Sequence, residues 1–135
     1  MKTFVVGFVF NNKEEVLLIR KLKPSWQAGF LNGVGGKCET DEDIYTAMVR
    51  EFHEEVGVII PNGHWRLFCK TTARDGQVAF FTAKYDGVIY QMEAEEPIWM
   101  PYIHLNRHVV IDNLRWLIPM ALAEKRVQAT VIELN

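Results

Sequence analysis

The chain of 135 residues is short of the features that mark a specialised class. Two cysteines, Cys38 and Cys69, are too few for a disulfide framework and form no CxxC pair, so a reducing compartment, the cytoplasm, is expected. No apolar run approaches the ~20 residues that cross a bilayer, and no membrane association is expected. The opening MKTFVVGFVF has one lysine, an apolar stretch broken by Gly7 and no small-residue cleavage site; it reads as a first strand, not a signal peptide. There is no basic excess either. A formal charge of −2 does not suggest a general nucleic-acid coat protein, which would usually be basic, and duplex nucleic acid is not an expected partner. Repeats, low-complexity tracts and linker-like stretches are missing, which leaves one domain, 1–135. What is present is an ordinary globular balance, 49% hydrophobic and 24% charged.

Apolar runs at 3–10 and 15–20 flank Asn11-Asn12-Lys13 and predict a hairpin. Residues 23–37 are glycine-rich and loop-like. Ile44, Ala47, Met48, Phe52 and Val56 recur at helical spacing and predict a helix over 41–56, capped by Thr40 and ended by Gly57 in a left-handed conformation. Strands at 65–72 and 77–85 flank Arg74-Asp75-Gly76, a second hairpin signal. A strand at 98–102, a helix at 112–125 that Pro119 should kink or split, and a last strand in VQATVIEL complete the pattern. Without a regular βαβ rhythm, the expected fold class is α/β, a mixed sheet packed by helices.

Charge is unevenly spread. Between Glu39 and Glu55, seven acids stand against Arg50 alone, while the remainder carries fourteen bases and ten acids. At about 100° per residue, Glu51, Glu54 and Glu55 fall on one stripe bordering the apolar face. Packed, partly desolvated like charges are unfavourable unless neutralised, and a hard divalent cation prefers such oxygen ligands. A solvated acidic surface is the plainer reading of charge alone. The preceding loop, Asn32-Gly33-Val34-Gly35-Gly36-Lys37, allows close backbone approach to a ligand beside a phosphate-sized cation, Lys37. It fits neither the P-loop, because Leu31 and Cys38 stand at required positions, nor GxGxxG.

Together these residues resemble the Nudix box, G-x5-E-x7-R-E-U-x-E-E-x-G-U with U apolar. Gly36, Glu42, Arg50, Glu51, Phe52, Glu54, Glu55, Gly57 and Val58 fill every specified position. Chance agreement is on the order of one in ten million for this length. The resemblance implies an α/β/α sandwich and hydrolysis of a nucleoside diphosphate linked to another moiety. It implies that Glu51, Glu54 and Glu55, with the Gly35 carbonyl, hold Mg²⁺ or Mn²⁺, that Arg50 orients Glu51, and that Lys37 and Arg20 hold phosphate. For Glu42 it implies a role in joining loop to helix; a helix N-terminal acid favoured by the dipole is the other reading. Arg20 also reads as a solvated strand end. The water-activating base is a box glutamate or an acid of the later loop, Glu93, Glu95 or Glu96, and each of these three also reads as a solvated turn.

The flanks are similar to the mutator-type subgroup that hydrolyses oxidised purine nucleotides. That similarity implies that Asn32, Asp112 and Asn113 hold a purine edge; Asp112 as a plain helix cap is the alternative. Trp26 and Phe30 flank the loop, and loop aromatics generally close over the core, with stacking on a base as the other reading. His104 and His108 lack the Glu of HExxH, so zinc is not expected. His53 reads as surface. The expected activity is cleavage of a nucleoside triphosphate, such as 8-oxo-dGTP or another dNTP, to monophosphate and pyrophosphate, by a monomer or homodimer. Hydrolysis of nucleotide sugars such as ADP-ribose or of dinucleoside polyphosphates, and non-catalytic nucleotide sensing, are the alternatives.

Overall fold

The computed structural model describes residues 1–123 and 130–134. In chain order the elements are β1 (Lys2–Phe10), β2 (Glu15–Arg20), β3 (Leu31–Asn32), β4 (Val34–Lys37), α1 (Ile44–Val56), β5 (Arg66–Ala73), β6 (Gly76–Lys84), β7 (Glu96–Pro101), α2 (Leu114–Leu122) and β8 (Thr130–Glu133). The strands form one mixed sheet ordered β3-β2-β1-β6-β5-β8, with β4 added to β1 and β7 to β2. β1 runs parallel to β6 from Lys2↔Gly76 to Phe10↔Lys84, and antiparallel to β4 from Phe4↔Lys37 to Gly7↔Val34. Such a central strand is covered on both faces, which is why TFVVGFVF is apolar almost without interruption.

Alternation along the strands divides the interior in two. Val5, Val9, Leu17 and Ile19 face the side covered by α1, with Ala47, Met48, Phe52 and Val56. Phe8, Phe10, Val16 and Leu18 face the other, with Leu114, Leu117, Ile118 and Ala121 of α2. Burying each such side chain stabilises the fold by about 1.5–3 kcal/mol, so these two stripes hold a helix against each face. The result is the α/β/α sandwich expected.

Several local expectations are corrected. β1 and β2 meet only at Phe10↔Val16, so 3–10 and 15–20 do not form an extended hairpin; β2 pairs instead with β7 and β3. The glycine-rich segment contains β3 and β4. Thr40 does not cap α1. Asp41 turns the chain with φ 62°, and Asp43 becomes the cap, its Oδ1 accepting from the Tyr45 and Thr46 N–H groups at 2.9 and 3.3 Å. Gly57 does adopt a left-handed conformation, φ 72°, and donates to the His53 carbonyl. α2 runs unbroken through Pro119, whose exposed position leaves the missing bond to the Arg115 carbonyl on the solvent side. Residues 124–125 of the expected helix and 127–129 of the expected strand lie outside the described residues.

Candidate functional site

The carboxylates of α1 are organised around one guanidinium. Glu42, just ahead of the cap residue, receives Arg50 Nε and Nη2, both at 2.8 Å, and accepts the Glu39 N–H at 3.0 Å. It therefore ties loop to helix and is not itself helical. Arg50 Nη1 donates to Glu51 at 3.1 Å and to Glu54 at 3.3 Å, while Nη2 reaches the Lys37 carbonyl at 3.2 Å. Glu42 and Glu51 are well buried, with 10% and 13% of their side chains exposed, whereas Glu54 is 48% exposed. The hydrogen bond from Arg50, outweighing burial, holds the Glu42 carboxyl below its usual range.

Glu51 packs against the backbone of Gly36 so closely that a Cβ there would collide with its carboxylate. At Gly35 an added Cβ would run into the Val5 carbonyl. Glycine at both positions is thus required by approach of neighbouring atoms. Burial, followed by repulsion from neighbouring acids, raises Glu51 despite Arg50. Of the carboxylates Glu55 is shifted furthest, pushed up to about 8 by burial, with Lys21 opposing and Glu51, Glu93 and Glu95 reinforcing the shift. Among the described residues no three His, Cys, Asp or Glu side chains converge in ion-binding geometry, and Glu51 and Glu54 are both taken up by Arg50. The donor chemistry, carboxylates on one stripe beside a glycine backbone, still fits a hard divalent cation better than any softer metal.

Without divalent cations, the protein is expected to lose thermal stability as pH rises from about 5 to 8. Folded Glu55 keeps its proton up to about 8, against an ordinary 4.5. Between those values the native state binds more protons than the unfolded chain, so stability falls with pH. Thermal melts at fixed ionic strength check this; a melting temperature that climbs over that interval contradicts it.

The acidic loop reaches this cluster because residues before it cap the far end of α1. Tyr90 N–H donates to the Val56 carbonyl at 2.9 Å and Met92 N–H to the Glu55 carbonyl at 3.1 Å. Glu95 is held by Lys21 Nζ at 3.1 Å and by the Leu22 N–H at 2.7 Å. Burial raises its pKa, but these partners outweigh it and keep the carboxylate ionised. Glu93 is exposed and electrostatically coupled to Glu51 and Glu55. Glu96 pairs with Arg20 across β2 and β7. Arg20 continues the Val16–Leu18 face, opposite α1, and donates to the Gly29 carbonyl at 3.4 Å; it is not brought to the carboxylates. Lys21, one residue on, faces them. Sequence reasoning passed over Lys21, although the parity of Leu17, Ile19 and Lys21 marks its side of the strand.

A cavity of about 440 Å³ lies beside the cluster. Phe4, Val6, Val78 and Phe80 line it together with Lys21, Trp26, Gln27, Asn32, Gly35, Gly36 and Asn113. Asn32 Oδ1 accepts the Gly33 N–H at 2.7 Å, and its Nδ2 donates to Gln27 Oε1 at 3.3 Å. The Asn113 Oδ1 is buried without a hydrogen-bond partner. Neither Asp112 nor Asn113 caps α2 through its side chain; Asp112 is exposed and is not among the residues lining the cavity. Lys37 is exposed beside a separate polar depression with Lys2, Glu39 and Asp75. Trp26 does not close over the core, being 67% exposed, and Phe30 is half-buried. His53, His104 and His108 are all exposed.

A NUDIX domain family model matches residues 2–130. An 8-oxo-dGTP diphosphatase of Escherichia coli is 31% identical over 106 residues, 75% of this chain and 81% of the relative. A CTP pyrophosphohydrolase of the same organism is 39% identical over 54 residues, 40% of each. Among solved structures, a MutT from work on the Aliivibrio salmonicida and Vibrio cholerae proteins superposes with TM-score 0.76 at 23% identity, covering 91% of this chain and 98% of that one. The NUDIX domain of Shewanella oneidensis NrtR, complexed with ADP ribose, gives 0.75 at 18% identity, covering 90% and 86%.

Proposed function

The chain belongs to the NUDIX domain family and is a Nudix hydrolase, and from that premise we propose that it cleaves a purine nucleoside triphosphate, such as 8-oxo-dGTP or another dNTP, to the monophosphate and pyrophosphate. One observation carries the reading. A cavity of about 440 Å³, lined in part by the amide side chains of Gln27, Asn32 and Asn113, adjoins the Gly35–Gly36 backbone on which Glu51 packs. Amide side chains offer both donors and acceptors, which suits the mixed edge of a purine. The relative's activity on 8-oxo-dGTP supports the same substrate class.

Members of the family generally use a divalent metal, and here Glu51, Glu54 and Glu55 with the Gly35 carbonyl would hold Mg²⁺ or Mn²⁺. When bound, such an ion neutralises diphosphate charge and acidifies water. The protein's own part is positional. Arg50 fixes Glu51 in orientation, Lys21, paired with Glu95 and facing Glu55, and Lys37, at the far side of the glycine loop, are the lysines offered to phosphate oxygens, and Asn32 and Asn113 read the base edge. Residues 1–135 then act as one cytoplasmic hydrolase domain, monomer or homodimer, on a small nucleotide and not on duplex nucleic acid.

Of the loop acids, Glu93 is the one free to act on water, because Glu95 already neutralises Lys21 and Glu96 lies in the sheet. Glu93→Gln is expected to lower kcat about a hundredfold with unchanged stability. Glu95→Gln is expected to cost about 1 kcal/mol of stability while kcat stays within about tenfold. Equal kcat losses in the two variants would put both acids in one structural role. The function itself is tested by a Mg²⁺-supplemented panel of dNTPs, 8-oxo-dGTP, CTP, ADP-ribose and a dinucleoside polyphosphate, scoring pyrophosphate, phosphate and monophosphate. Purine triphosphates yielding pyrophosphate are expected to lead; preferential release of AMP from ADP-ribose overturns the reading.

A further inference from the structure

Trp26 is a large apolar side chain with 67% of its surface exposed, yet it is not loosely placed. It sits in a 3-10 turn, Ser25–Gln27, closed by bonds from the Gln27 N–H to the Pro24 carbonyl and from the Ala28 N–H to the Ser25 carbonyl, at 2.9 and 3.2 Å. Both ends of the surrounding loop are pinned. Lys21 N–H donates to the Phe30 carbonyl and Gly29 N–H to the Lys21 carbonyl, each at 2.8 Å. Glu95 holds the Leu22 N–H, and Asn32 reaches Gln27, so the turn is bound to the acidic loop on one side and the glycine loop on the other. The indole lines the cavity described above, together with Phe4, a second exposed aromatic contributed by β1.

An aromatic surface kept open by a braced turn, beside amide groups suited to a base edge, is preorganised for a flat ring. We propose that the Trp26 indole is the platform on which the substrate's heterocyclic base stacks, making it a specificity-determining residue for base-bearing over abasic phosphates. This rests on the reading that the cavity receives a nucleotide base. Stacking of this kind is sequence-tolerant, because every base has a π-face. Trp26 therefore contributes affinity for any base, while the amides around it choose among bases.

The test uses equilibrium binding of dGMP, 8-oxo-dGMP and 2-deoxyribose 5-phosphate, none of which contains a diphosphate to be cleaved, measured by calorimetry on wild type, Trp26→Ala and Trp26→Phe. Expected is a loss of roughly tenfold or more in binding of the two nucleotides to Trp26→Ala, with the abasic phosphate changed less than twofold and Trp26→Phe recovering most of the loss. Equal losses for all three ligands overturn the platform role in favour of a structural one. Wild type that prefers the nucleotides, with Trp26→Ala keeping that preference intact, overturns the role of Trp26 alone. Wild type that binds the nucleotides no better than the abasic phosphate overturns the base cavity itself and the platform with it.

Discussion

Replacing Glu54 by glutamine is expected to lower kcat by about three orders of magnitude and to leave stability within about 0.5 kcal/mol of wild type. The two parts of this result have different causes. Glu54 is half-exposed, and its link to Arg50 is an i,i+4 pair at 3.3 Å; pairs of that kind contribute only about 0.3–0.5 kcal/mol. Glutamine keeps the shape and the helix propensity. What it removes is an anionic oxygen on the stripe shared with Glu51 and Glu55, the charge through which, on the proposed function, a cation or an attacking water would be held. Steady-state kinetics beside a thermal melt separates the two. Near-normal rates in both Glu54→Gln and Glu55→Gln would refute the assignment of these acids to the reaction.

Arg50→Ala carries the second large effect, and here stability moves too. The guanidinium compensates two well-buried carboxylates, Glu42 and Glu51, and also satisfies the Lys37 carbonyl. Removing it leaves uncompensated charge in a half-buried site, a loss of about 2–4 kcal/mol, or roughly 10 °C in melting temperature for a domain of this size. Activity is expected to fall at least a hundredfold, because Glu51 loses the contact that orients it. Arg50→Lys should recover only a small part of either, since a single ammonium cannot span Glu42, Glu51 and a carbonyl at once. A lysine variant with wild-type melting and rate would show that bare charge, and not the fork of donors, is what matters.

The parts of the fold written in local chemistry were readable beforehand. The apolar stripe from Ile44 to Val56 and the glycine after it specify a helix and its end, and Arg74-Asp75-Gly76 marks the β5–β6 hairpin. Where pairing depends on distant segments, the local signal misleads. Asn11-Asn12-Lys13 does turn the chain, with Asn11 Oδ1 accepting from the Lys13 and Glu15 N–H groups, but β1 takes β4 and β6 as its long partners. Thr40 and Asp43 both satisfy a capping pattern, and the turn at Asp41 decides between them.

The site divides in the same way. Spacing alone sets Glu51, Glu54 and Glu55 on one side of α1, and the resemblance implies that Arg50 orients Glu51, but the two bonds from Arg50 to Glu42 depend on the turn ahead of α1. That Lys21 and not Arg20 faces the carboxylates is a matter of strand parity, available in the sequence once β2 is placed against α1. That Glu95 is consumed by Lys21 and by a backbone N–H, while Glu93 stays free, depends on how the loop after β6 crosses the end of α1, and no local pattern encodes it. The exposure of Trp26 has the same origin, for it is the closed turn between β2 and β3 that holds the indole away from the core.

The central claim is that the α1 carboxylates exist to hold a divalent cation. Calorimetric titration of the purified protein with Mn²⁺ and with Mg²⁺, with and without bound nucleotide and in parallel with Glu51→Gln, addresses it most directly. The account predicts saturable uptake by wild type, weakened at least tenfold in the variant. No uptake under any of these conditions, or undiminished uptake by Glu51→Gln, would contradict it.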